Sequence, residues 1–511
     1  MIKFIIILTL LPRCIFSQTI DLPDDIDIKS SHIGIVKLPE RVHSRWKREG
    51  FVNYTKVIAS NNGAIHIVAQ NKISQGQIIR ARNVLEHFLT DLPNSQFGYD
   101  KSSVANAMAN NEAFLLLLNG RDDGANEPDL PGQWLFEDEL VVEGSSWYMN
   151  NVYDGHRDAT FEEILHLVHD TGIGVDGHNS MPGSLPKFQK KIREATINAM
   201  SNGYHIWPIG AGDNGDVARW VNELDDENSL SQEYIASVVD SYYGLWGAWN
   251  DKPGKGMWGL YISNNRLEIK SEDPMGWALM EMFFHPYLQY TAWIDSSFNG
   301  QFSIRFNEEL PYTHKSQYLV NVKLNGSENS DIIGNRMDNT LAGNSGNNMI
   351  NGGEGIDSVV YSNNFNDYTI VSNEEVTHIE DKNGDFDGKD SLFSIEYLVF
   401  KDKVISTSNL LKINKNIILR DYGINNIYPN PFNPSTKISY ELPEDGFVRI
   451  GIYNTLGREI KNLVKKSQNA GQKIVFWDGT DDTGISVSNG IYFVAMNASS
   501  FNETKKIMLI R

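Results

Sequence analysis

Three regimes of apolar spacing divide the chain. In the first, Ala64-Ile-His-Ile-Val-Ala reads as a strand, Ile78 to Thr90 as an amphipathic helix, Ala113-Phe-Leu-Leu-Leu-Leu-Asn as a buried strand and Leu140-Val-Val as a short one. Apolar residues then recur at three- and four-residue intervals over 160–171, 186–201, 232–243 and 274–283, which predicts helices. Sheet-forming segments followed by helices make 30–320 an α+β domain. In the second regime, from Asn325 to Tyr361, the period is nine. Asn325, Gly334, Gly343 and Gly352 fall in one column, Ser330, Asn339, Asn348 and Asp357 in another, and Ile332, Leu341, Ile350 and Val359 in an apolar third. One apolar residue per repeat between glycine turns predicts short parallel strands coiled into a β-roll, with a β-rich module following to residue 404. Residues 405–425 read as a linker.

In the third regime, 426–511, the period falls to two. The runs Lys437-Ile-Ser-Tyr-Glu-Leu, Val448-Arg-Ile-Gly-Ile-Tyr, Lys473-Ile-Val-Phe-Trp, Gly490-Ile-Tyr-Phe-Val-Ala and Lys506-Ile-Met-Leu-Ile are separated by turn clusters such as Asp478-Gly-Thr-Asp-Asp-Thr-Gly484. Such spacing predicts an antiparallel β-sandwich. The predicted fold is therefore multidomain.

Composition narrows the function classes. A chain of 511 residues with 41% hydrophobic content can build several cores, and its formal charge of −20 argues against nucleic acid and anionic membranes as partners. Residues 1–17 carry Lys3, an apolar run from Phe4 to Leu11, and Ser17 ahead of Gln18, the pattern of a signal peptide. The run is too short to span a bilayer, and no other span is evident in the mature chain. Cys14, the sole cysteine, lies inside it, so the mature protein has no disulfide, thiolate ligand or cysteine nucleophile.

The most chemical stretch is Thr160-Phe-Glu-Glu-Ile-Leu-His-Leu-Val-His-Asp-Thr-Gly172. At about 100° per residue, Glu162, His166 and His169 share one face of a helix, where imidazoles and a carboxylate can converge on a divalent ion. The same residues admit a plainer account. Thr160 and Glu163 have the spacing of a capping box, Glu162 suits the helix dipole, and Glu233 lies in the first turn of a helix with Ser231 as its cap. Ten of the eleven tryptophans lie between Trp46 and Trp293, with Trp246, Trp249 and Trp258 close together. They form either a sugar-stacking surface or a large aromatic core. Asp381, Asn383, Asp385 and Asp387 alternate like the start of an EF-hand loop, but its closing glutamate is missing, which makes them turn residues.

Three resemblances add to this reading. The C-terminal motifs YPNPFNPST, IYNTLGREI, FWDGTDDTG, NGIYF and KKIMLIR, in that order, resemble the sorting domain of type IX secretion cargo. That resemblance implies recognition by the type IX secretion machinery and export, either into the medium or onto the outer cell surface. The nonapeptide segment resembles hemolysin-type (repeats-in-toxin) calcium-binding repeats. It implies Ca2+ held by Asn339, Asn348 and Asp357, although asparagine or serine stands where the family has aspartate in three of four repeats. The helix over 160–172 resembles the His-Glu-x-x-His helix of zincin metallopeptidases, with Glu162 in place of the first histidine. It implies Zn2+ held by Glu162, His166 and a downstream carboxylate, Glu233, with Glu163 as general base and His169 as the alternative ligand to Glu162. The expectation is a secreted or cell-surface, zinc-dependent, peptidase-like hydrolase acting on an extracellular protein or polysaccharide. The alternative is a non-catalytic, calcium-stabilised adhesion protein.

Overall fold

The computed structural model describes residues 22–510 except 43, 151–157, 177–182, 374, 375, 385, 409, 411–421 and 500. The segment read as a signal peptide and most of the segment read as a linker lie outside the described residues. The chain divides into two compact units, principally at Val404. No described helix is long and apolar enough to cross a membrane.

The first unit opens with a five-stranded sheet in sequence order: β1 (Val36–Lys37), β2 (Phe51–Ile58), β3 (Ala64–Gln70), β4 (Phe114–Leu118) and β5 (Gln133–Phe136). β1, β2 and β3 run antiparallel, whereas β4 and β5 pair parallel to β3 and β4. Every residue of β3 and β4 is buried, as expected of strands covered on both faces. The Gln75–Leu89 helix crosses between β3 and β4, and its Ser74–Gln77 capping box satisfies amides that the first turn leaves open.

Leu140-Val-Val, predicted as a strand, forms none. The sheet ends at β5, and these residues turn back over the Gln75–Leu89 helix, where Val142 packs against Gly76. The predicted helices form as Thr160–Val168, Pro186–Tyr204, Leu230–Tyr242 and Pro274–Phe283. Trp246 and Trp249 are buried with ring centroids 5.0 Å apart, and Trp258 lies equally close to Trp246. Trp246 and Trp249 are core, and Trp258 is half-buried at its edge.

Arg80 locks these layers together. Its guanidinium meets Glu143 at 3.0 Å and Asp158 at 2.7 Å, and donates to the carbonyl of Val141. All three charged side chains are 3% exposed.

From Leu288 the chain alternates between two sheets. Both are six-stranded and are completed by strands of the module that follows residue 361. Of the earlier strands, β6 (Leu288–Trp293), β8 (Leu319–Lys323), β10 (Thr340–Ala342) and β12 (Ser358–Val360) lie in one, and β7 (Gln301–Ser303), β9 (Asp331–Ile333) and β11 (Met349–Asn351) in the other. The pairings among these earlier strands are parallel. Ile332 faces Ile350 and Leu341 faces Val359, so a complete turn consumes two nine-residue repeats. Those four apolar side chains are all 0% exposed. Glycine is required between them because successive turns touch: a Cβ on Gly334 would stand 1.9 Å from the carbonyl oxygen of Gly352.

The second unit is a sandwich of two antiparallel sheets. One joins Gly423–Tyr428, Thr436–Leu442 and Gly471–Trp477; the other orders Glu459–Gln468, Gly446–Asn454, Gly490–Ala498 and Phe501–Leu509. Phe432, Trp477, Val494 and Ile507 are among its core residues. Its first strand lies at the end of the segment read as linker.

Two outcomes check this account. Arg80→Leu strands two buried carboxylates, so chemical unfolding should reveal a loss of about 3–5 kcal/mol; a loss under about 1 kcal/mol would show that the network holds little. Lys101 is 1% exposed, donates to the Phe88 carbonyl at 2.9 Å and lies 4.3 Å from the Phe283 ring centroid. Burial pushes its pKa down to about 7 against the pull of Asp91. The unfolded amine holds its proton to about 10.4, so stability from this group rises as pH climbs from about 7 to about 10. Urea midpoints should show that rise weakened in Lys101→Met.

Candidate metal centre

The site is built where two helices meet. Thr160–Val168 runs on into one π-helical turn, His169–Ile173. Its N-cap is Ala159, without a side-chain cap, and the amide of Thr160 donates to Asp158 Oδ1 at 3.2 Å. The capping box read from Thr160 and Glu163 is therefore not made: the helix starts one residue too early for Thr160 to be its cap. The second helix, Leu230–Tyr242, is preceded by Ser229, and Ser231 lies within the helix instead of capping it. Asp170 Oδ1 accepts from Gln232 Nε2 at 3.0 Å and ties the two helices beside Glu233.

Glu162, His166 and Glu233 converge. One ligand atom from each lies within 4.8 Å of the others, and each residue is 4% exposed. His166 Nε2 makes no hydrogen bond and stands 3.6 Å from Glu233 Oε1. On the other edge of the ring, Nδ1 lies 3.6 Å from Glu163 Oε2. Burial alone would strip the imidazole of its proton. Glu163 beside Nδ1, with the charges of Glu233 and Glu162, outweighs that effect and pushes the His166 pKa up to about 10. Without a metal, the proton on His166 serves as the counter-charge of a buried acidic pair.

Glu163 differs from the other two carboxylates. Its side chain is 19% exposed, and Oε2 accepts from Gln133 Nε2 at 2.7 Å. The acidic stretch before β5 adds to the field: burial, then Glu163, Glu127 and Asp138, push the pKa of Asp122 up to about 6. Gln133 carried no signal in the sequence, because β5 is too short and too polar at its start to read as a strand.

His169 does not join the cluster. The helix turns it away, so that Nε2 shares a 2.6 Å hydrogen bond with Gln189 Oε1, and burial lowers its pKa. Between it and Glu162, the geometry puts Glu162 with His166.

The three calcium-type residues do not meet at one point. Asn339 and Asp357 lie in successive turns on one edge of the solenoid, where Asp357 Oδ1 accepts from the Asn339 amide at 2.8 Å. Asn348 lies on the other edge, where its amide donates to Asp390 Oδ1 at 3.0 Å.

Residues 426–510 match the family model described as secretion system C-terminal sorting domain. No curated protein matches the chain. Among solved structures it is similar to FlgD from P. aeruginosa, at 22% identity over 18% of this chain and 66% of that one, with a TM-score of 0.13. It is also similar to dimeric latent PorU from Porphyromonas gingivalis, at 14% identity over 27% of this chain and 13% of that one, with a TM-score of 0.16. The third is PorZ, a surface component of the type IX secretion system of the same organism, at 18% identity over 28% of this chain and 16% of that one, with a TM-score of 0.14. The chain thus spans less than two thirds of each, and scores this low carry no argument about the larger unit. The sorting domain does: this protein is type IX cargo, exported to the medium or to the outer surface of the cell.

Proposed function

We propose that the first unit is a zinc-binding, peptidase-like hydrolase module delivered outside the cell by its sorting domain. One observation carries the reading: Glu162, His166 and Glu233, brought from two helices, converge while buried. Two carboxylates and a neutral imidazole supply the charge that a divalent cation balances. Holding two carboxylates out of water costs several kcal/mol, which a divalent cation between them would offset. Nitrogen and oxygen donors suit Zn2+, and three protein ligands leave the open position typical of catalytic sites.

When bound, Zn2+ would acidify a water and polarise a peptide carbonyl. The chain's own groups divide the remaining work. Glu163 near Nδ1 holds His166 in the tautomer whose Nε2 is free to ligate, as carboxylates do for metal-bound histidines. It is also the carboxylate with the greater exposure, which suits exchange of a proton with a molecule at the helix. Gln133 fixes its orientation.

The glycan-binding alternative is weaker, because Trp246 and Trp249 face the core. For calcium, Asp357 is the one charged residue of the three nonapeptide positions. It is 0% exposed, and its Oδ2 has no hydrogen-bond partner. We retain it as the candidate Ca2+ ligand of the solenoid.

The test uses the full mature chain, untagged and purified without added metal. Elemental analysis should find about one zinc per chain. Glu162→Ala and His166→Ala should each lose it, whereas Glu163→Gln should keep the metal and lose peptide hydrolysis by roughly 10²-fold or more. Zinc uptake at pH 7 should release about one proton, since His166 gives one up on ligation. A chain that takes up no zinc after chelation and reloading would end the reading.

A further inference from the structure

The same hydrogen-bond set recurs at two corners of the solenoid, nine residues and half a complete turn apart. In the first, the amide of Asn335 donates to Asn339 Oδ1 at 2.9 Å, Asn339 Nδ2 donates to Asn335 Oδ1 at 3.0 Å, and the amide of Met337 donates to Asn335 Oδ1 at 2.9 Å. In the second, Asn344 and Asn348 make the equivalent bonds at 2.9 and 3.0 Å, with the amide of Gly346 on Asn344 Oδ1 at 2.9 Å. Each pair thus locks its own turn.

Each pair also reaches back to the preceding turn. Asn335 Nδ2 points at the carbonyl oxygens of Leu319, at 2.9 Å, and Gln317, at 3.4 Å. Asn344 Nδ2 points at those of Glu328, at 3.0 Å, and Asn325, at 3.1 Å. Asn348 Nδ2 adds the carbonyl of Ser330 at 2.7 Å. Backbone carbonyls gathered at a turn are the groups a hard cation binds. Here they accept from amide hydrogens instead, and the side-chain oxygens of Asn335, Asn339, Asn344 and Asn348 are already committed to backbone and amide donors. These are neutral ligands whose acceptor oxygens are in use, so the two turns do not fit Ca2+.

The third turn differs at the relevant positions. Gly353 stands in the register of Asn335 and Asn344 and has no carboxamide; Asp357 stands in the register of Asn339 and Asn348.

We propose that the carboxamides of Asn335 and Asn344 take the place of the cation that calcium-type repeats hold between successive turns, so that these two turns close without metal. A primary amide offers two hydrogens, which bridge two carbonyls of the turn before it, and its oxygen caps the turn it belongs to. The solenoid between β8 and β11 is then independent of the calcium outside the cell, whatever Asp357 binds.

Amide hydrogen exchange on the untagged full chain, in millimolar calcium and after chelation, decides this. Peptides within 334–348 should exchange at the same rate in both, to within about twofold. Calcium-dependent protection confined to 352–357 would belong to Asp357 and is compatible with the proposal. Loss of protection across 334–348 on chelation, by tenfold or more, would overturn it. The double variant Asn335→Asp/Asn344→Asp removes the bridging hydrogens and sets carboxylates against carbonyls. Its Tm should fall by several degrees in chelator and recover in calcium. A variant as stable as the parent in chelator would equally sink the idea, and if the variant does not fold, the exchange experiment on the parent chain still decides.

Discussion

A single buried guanidinium holds the first unit in register. Arg80 belongs to the Gln75–Leu89 helix, yet its partners come from elsewhere: Glu143 from the segment after the sheet, Asp158 from the turn that starts the ligand-bearing helix. Glu143 passes the connection to the solenoid, since Tyr290 on β6 donates to its Oε1 at 3.0 Å and the amide of Asp295 donates to its carbonyl at 2.8 Å. Asp158 accepts from Thr160 where the helix of Glu162 and His166 begins. Burial weakens an arginine's hold on its proton, but Asp158 and Glu143 more than restore it. A charge this well matched is hard to remove, because every partner it leaves behind is also out of water.

The convergence of Glu162, His166 and Glu233 depends on that registration. Glu162 and His166 are separated by one helical turn and need only the helix. Glu233 arrives on another helix, held by the Gln232–Asp170 bond and by packing along Leu230–Tyr242. Against burial, Glu163, Glu233 and Glu162 favour the protonated form of His166. A cation bound there would compete with that proton, as expected where metal affinity is coupled to ligand ionisation.

The solenoid solves a different problem. Its core is narrow, with Ile332 and Ile350 stacked in one sheet and Leu341 and Val359 in the other. Polar groups at the corners add hydrogen bonds within and between turns. Asparagine serves because one side chain donates and accepts at once.

The sequence by itself determined the periodic parts. The nine-residue columns named the buried aliphatics, the alternating runs named the sandwich strands, and the 3.6-residue pattern named the principal helices. In each case the signal is local, since the spacing of apolar residues fixes which face turns inward. It also singled out Glu162, His166 and Glu233. The sequence left open whether Glu162 or His169 faces the centre, and suggested that Glu163 and Ser231 serve as helix caps. Only the tertiary structure decided those points. His169 turns toward Gln189 where a π-helical turn follows Val168, and Glu163 meets Gln133 because a short edge strand starts beside it. The buried pairing of Arg80, and the exchange of carbonyl contacts between turns, join residues far apart in the chain. No local pattern encodes such contacts, which exist only once the layers are packed.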